Sequence, residues 1–175
     1  MSKRTVDQIG FIVDDMEKAM REYGAIYHIK HWFRAVNTPP GKIYYKDEEI
    51  QDPGFDACIG YCGKTEIELI TTSHPDNLYG SFLREQGPGL HHFCFFVKNI
   101  DEVIHEYEEQ GFEVIQRGSM NGKHMVSYYA YLVKPGEKFS RIVELGETKL
   151  GKISLRRTPM RLWLGMLTGD SVRLT

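Results

Sequence analysis

Two hydrophobic periods alternate along the chain. Residues 6–13 form an apolar run of strand length. Asp14-Asp15 then offer a helix cap, and Met16, Ala19, Met20 and Tyr23 recur at the spacing of one helical face, with Gly24 as a stop. Strands are predicted at 28–35, 55–61 and 65–71. Between them, residues 37–52 mix Pro39-Pro40-Gly41 with charges and two tyrosines, and read as a surface loop. Residues 78–86 predict a connecting helix, and Gly87-Pro88-Gly89 punctuates a joint. A strand at 92–97, a helix at 100–110 ended by Gly111, and strands near 112–117, 125–133 and 140–145 follow.

The second half repeats the first. Gln8 to Val13 overlies His92 to Val97 at a spacing of 84, and Glu22-Tyr23 then falls on Glu106-Tyr107. Glu66 to Ile70 matches Ile142 to Gly146 at a spacing of 76, with Glu68 on Glu144. The reading is βαβββ twice. It predicts an α+β fold in which two modules form a curved mixed β-sheet around a central metal site. The first module spans 1–77, a connecting helix and linker 78–89, the second module 90–147, and a C-terminal tail 148–175. Each module alone would bury only a modest core, so two modules, or two chains in a homodimer, must pair to close the sheet. The tail groups Arg156, Arg157, Arg161 and Arg173 around Leu162-Trp163-Leu164. Two readings stand equal: a docking helix or part of a partner surface, and a poorly ordered end.

Composition narrows the function classes. Of 175 residues, 41% are hydrophobic and 26% charged, which excludes a largely disordered chain. A formal charge of −2 gives no basic field for nucleic acid. No apolar run reaches the ~18 residues of a membrane span, and the first residues lack an apolar leader core. A cytoplasmic protein acting on a small molecule is expected. Cys58, Cys62 and Cys94 sit in apolar runs and read as buried thiols of a reducing compartment.

Chemistry concentrates at the repeated positions. Gln8 and His92 open equivalent strands, and Glu68 and Glu144 occupy equivalent later strands. Pairing the modules about a pseudo-twofold axis would join one amide oxygen, two carboxylates and one imidazole. That oxygen-rich, thiolate-free set suits Mn²⁺, Co²⁺, Ni²⁺, Fe²⁺ or Zn²⁺ with open positions. Taken singly, each residue also has a plain structural reading, at a sheet edge or bonded to backbone. Both glutamates, however, lie inside apolar strands, where an unpaired charge is costly.

At these residues the chain resembles the vicinal oxygen chelate superfamily, also called the glyoxalase/bleomycin-resistance/dioxygenase superfamily. The carrying segments are Val6 to Phe11, Ile67 to Ile70, Gly89 to Phe93 and Ile142 to Leu145. The resemblance implies Gln8, Glu68, His92 and Glu144 as metal ligands, with His91 beside them. Gly89 to His92 and the stretch from Asp52 to Leu69 are similar to the methylmalonyl-CoA epimerase branch, and Asp52 falls where that branch carries a catalytic Glu. Gly122-Lys123 is also similar. The branch usually has His where this chain has Gln8, and Gln where it has Glu68; in that respect the set resembles glyoxalase I.

The implied chemistry is a 1,1-proton transfer, an epimerisation or racemisation at the carbon alpha to a carbonyl. Glu144 and Asp52 are the candidate acid–base pair, one on each face of that carbon. Asp52 before Pro53-Gly54 also reads as a turn residue. Tyr129, Tyr131 and Lys123, with His91, are candidate substrate-binding or supporting residues. An acyl-CoA thioester such as methylmalonyl-CoA, or an aromatic ketone such as an isoflavanone, would fit. A glyoxalase I-type lyase acting on a thiol–ketoaldehyde adduct and a metal-free binding or resistance protein are the other readings.

Overall fold

The computed structural model describes residues 4–36, 39–51, 54–137, 139, 141–155 and 159–175. In order these run β1 (Gln8–Ile12), α1 (Met16–Tyr27), β2 (Phe33–Ala35), β3 (Pro40–Tyr45), β4 (Glu48–Ile50), β5 (Phe55–Cys62), β6 (Thr65–Thr72), α2 (Leu78–Gln86), β7 (Gly89–Phe96), α3 (Ile100–Glu108), β8 (Glu113–Asn121), β9 (Val126–Val133), β10 (Ile142–Leu150), β11 (Ile153–Leu155), α4 (Pro159–Thr168) and β12 (Ser171–Arg173). The fold class is α+β. Two compact units divide it: a first unit of Asp7–Asn37, Gly54–His91 and Thr158–Thr175, and a second of Met1–Val6, Thr38–Pro53 and His92–Arg157.

In the first unit the strands lie in the order β12, β2, β5, β6, β1, with β1 parallel to β6 and the other pairs antiparallel. Asp15 caps α1 by accepting from the Lys18 N–H at 2.9 Å. Ala19, with Met16, Met20, Tyr23 and Tyr27, packs the apolar face of α1 against Trp32, Cys58, Ile67 and Leu69. The helix outruns Gly24 because His28 takes the left-handed conformation at φ 55° and returns its N–H to the Gly24 carbonyl. The strand expected at 28–35 therefore shrinks to β2.

The tail also resolves. Ser171 to Arg173 add β12 to the edge of β2, Leu174 N–H donates to the Trp32 carbonyl at 2.8 Å, and Trp163 meets Phe33 edge-on at 5.1 Å. The docking reading describes it, and covering β2 removes an exposed strand edge.

In the second unit, β10 pairs with β7 in parallel and with β9 antiparallel, and β9, β8, β3 and β4 continue the sheet. Ile100, Val103, Ile104 and Tyr107 of α3 pack on Ala130, Leu132 and Leu145. Residues 39–51, expected as part of a plain surface loop, form a strand pair instead. Lys46 and Asp47 both take positive φ, 50° and 65°, making a two-residue turn that pairs β3 with β4. Neither is a glycine, so the turn carries no obvious sequence mark.

Both repeat spacings hold in the register. Gln8 pairs with Glu66 and Gly10 with Glu68, while His92 pairs with Ile142 and Cys94 with Glu144. Val13 N–H donates to Ile70 at 2.9 Å and Val97 N–H to Gly146 at 2.8 Å. The helix caps differ. Where Asp15 caps α1, Asn99 donates instead to Glu102, and the buried Glu147 accepts the Ile100 N–H through Oε2 at 3.2 Å.

The cysteines are free thiols. Cys58 and Cys94 are buried and Cys62 is half-buried. Burial, then the Glu68 and Asp56 carboxylates, push the Cys58 thiol up to about 12. A thiol raised on folding stabilises the fold below the ordinary value of 9.0, and that stabilisation is lost as pH climbs towards 12. At pH 8, iodoacetamide is expected to modify Cys62 in the native protein and Cys58 only after unfolding, read by mass spectrometry of peptides. Equal rates at both would contradict this burial.

Candidate active site

Strand alternation sorts the candidates by face. On β6, Ile67 and Leu69 turn under α1, so Glu66 and Glu68 take the opposite face. Gln8 joins them there: it is 2% exposed and its Nε2 donates to Glu66 Oε1 at 2.7 Å. Glu66, itself 1% exposed, accepts the Tyr61 hydroxyl on Oε2 at 2.5 Å. Glu68 is half-buried beside them, opposite Ile59.

The second unit sets its pair on β7 and β10. His92 and Glu144 are both buried, and His92 Nε2 lies 2.9 Å from Glu144 Oε2. Tyr131 stands opposite Glu144 across β9, with its ring 5.3 Å from the His92 ring. Tyr129, two residues earlier and on the same face, has its ring 5.8 Å from that of Tyr131 and accepts from Gln116 Nε2 at 3.4 Å. Burial raises the Tyr129 phenol above its usual range; the Gln116 hydrogen bond opposes this and the Glu144 charge adds to it. Tyr129 thus keeps a neutral hydroxyl on the sheet face that carries Glu144 and Tyr131.

The remaining candidates are His91, Lys123 and Asp52. His91 is 3% exposed, with its ring 5.6 Å from Tyr79 and 5.0 Å from Phe82, packed under α2. Lys123 is exposed in the turn between β8 and β9. Asp52 lies outside the described residues. Sequence reading passed over Glu66, the carboxylate that holds the Gln8 amide. Its signal was its place two residues before Glu68, on the same strand face.

The comparisons agree with this architecture. A family model described as Glyoxalase/Bleomycin resistance protein/Dioxygenase superfamily matches residues 7–131. The chain belongs to that superfamily. No curated protein matches it in sequence. Among solved structures, a Streptomyces coelicolor methylmalonyl-CoA epimerase variant in complex with 2-nitronate-propionyl-CoA is similar at a TM-score of 0.59 and 20% identity, covering 83% of this chain and 97% of that one. Methylmalonyl-CoA epimerase from Mycobacterium tuberculosis gives 0.57 and 18%, covering 83% and 91%. A hypothetical protein from Bacillus halodurans gives 0.57 and 20%, covering 83% and 94%. At such identities the likeness carries the fold alone. Among the described residues, no helix is long and apolar enough to cross a membrane.

Proposed function

We propose that this chain is a metal-dependent epimerase or racemase that moves a proton at the carbon alpha to a carbonyl. The observation that carries the reading is the buried His92–Glu144 pair at 2.9 Å, on strands whose register equivalents in the other unit hold Gln8 and Glu68. These are hard oxygen and imidazole donors, the kind a catalytic divalent cation takes, and members of the superfamily often use such metals. Gln8, Glu68, His92 and Glu144 would hold the ion. A bound divalent cation supplies Lewis-acid stabilisation to an enolate oxygen.

The chain's own groups do the rest. Glu144 takes the α-proton from one face, and Asp52 returns one from the other. Tyr129 and Tyr131 give that side of the site an aromatic wall, with a neutral hydroxyl on Tyr129, suited to a flat acyl group or an aromatic ketone. An acyl-CoA thioester such as methylmalonyl-CoA is the first substrate to test, since the epimerases named above share the fold. Gln8 with Glu68 also favours a glyoxalase I-type lyase as a second reading.

Incubation with methylmalonyl-CoA in D₂O separates the two. Deuterium at the α-carbon with an unchanged skeleton supports the epimerase; conversion of a thiol–ketoaldehyde adduct, with no exchange of the thioester, overturns it. Elemental analysis of Gln8→Ala and His92→Ala is expected to show loss of the metal. Full retention in both would remove the proposed ligand set.

A further inference from the structure

We infer that Glu66 is a positioning residue that fixes the side-chain amide of Gln8 with its carbonyl oxygen available to a divalent cation; this rests on the metal-site reading above. The amide is an ambiguous ligand. Its oxygen and nitrogen ends are nearly the same size, but only the oxygen has a lone pair to give. A carboxylate accepts and does not donate, so Glu66 Oε1, at 2.7 Å, can hold only the NH₂ end of Gln8. The carbonyl is thereby turned to the other branch of the amide.

Three strands build the device. Gln8 on β1 is the register partner of Glu66 on β6, and Glu66 is the register partner of Tyr61 on β5. Amide, carboxylate and phenol form a row on one face, with Tyr61 holding the second Glu66 oxygen at 2.5 Å. Both Gln8 and Glu66 are almost fully buried, so water cannot substitute freely for either partner. The other unit supplies a control written by the repeat itself. There the register partner of His92 is Ile142. An imidazole has no oxygen-or-nitrogen end to choose between, and the register position that holds Glu66 in the first unit holds the apolar Ile142 here.

The test uses the full chain and the metal alone, with Mn²⁺ and Zn²⁺ titrated separately by calorimetry. Glu66→Gln is expected to weaken binding by about 10–100-fold, the usual cost of losing an orienting partner. Tyr61→Phe, which leaves the carboxylate in place, should weaken it less and serves if Glu66→Gln folds poorly. The exchange Gln8→Glu with Glu66→Gln reverses donor and acceptor, leaves an oxygen for the ion, and should recover most of the affinity lost in Glu66→Gln. A merely structural Glu66 would show no such recovery. Wild-type affinity in Glu66→Gln, or a double variant no better than it, overturns the assignment. If Gln8→Ala also binds like the wild type, the ligand set itself fails, and the positioning role with it. If Gln8→Ala weakens binding and Glu66→Gln does not, only the positioning role fails.

Discussion

Glu144→Gln is expected to slow interconversion of the two epimers by about 10²–10⁴-fold, the range a general base contributes. The substitution keeps the size of the side chain and an oxygen that can face His92, so the fold should survive it. What it removes is the proton acceptor. Because Asp52 is proposed to serve the opposite face, the loss should be lopsided. The epimer whose α-proton faces Glu144 should stop exchanging with D₂O, while the other still exchanges. Asp52→Asn should give the mirror pattern. Proton NMR of each epimer in D₂O reads both outcomes. Undiminished exchange from both epimers in Glu144→Gln would remove the role assigned to this residue, whatever the metal content shows.

The repeat explains how much of this was readable beforehand. Strands that enclose a site must present their functional side chain at a fixed place in the register, so two copies leave the same mark twice. On the proposed reading Gln8 over His92 and Glu68 over Glu144 are such marks; the parallel pairs β1–β6 and β7–β10 keep both spacings. Departures from the repeat were harder to see. The β3–β4 hairpin turns through Lys46 and Asp47 with positive φ but without a glycine, so charge and proline masked a strand pair. The left-handed His28 extended α1 past its glycine for the same reason. The spacing of Glu66 from Glu68 marked its strand face, but that it meets Gln8 depends on which residue lies across the sheet, and only the register supplies that. The tail was open between two readings because its pairing partner, β2, is a three-residue strand more than a hundred residues away.

Glu147 and Glu144 sit three residues apart on β10, and alternation turns them to opposite faces of the sheet. Their substitutions should separate accordingly. Glu147 is 0% exposed and has no expected part in the chemistry. It accepts the Ile100 N–H at the start of α3 at 3.2 Å and the Ser154 hydroxyl at 2.5 Å, and lies 3.1 Å from Lys149 Nζ. It thus replaces the helix cap that Asp15 supplies in the other unit and ties β11 to the α3 entry, where Ser154 also reaches the Lys98 carbonyl at 2.8 Å. Glu147→Ala strips an acceptor from a buried N–H and hydroxyl, and is expected to cost about 2–3 kcal/mol of folding stability. Glu147→Gln keeps one acceptor oxygen and should cost about 1 kcal/mol. Urea denaturation measures both, and hydrogen exchange should show the first turn of α3 opening more often. Lys149 is a third exposed, so water can take over its charge and adds little to the loss. Metal affinity and α-proton exchange per folded molecule should remain at wild-type levels. A Glu147→Ala protein as stable as the wild type would mean that α3 finds its cap elsewhere. A stable variant that lost metal would mean that the two faces of β10 are coupled, and that the division of labour between its glutamates is wrong.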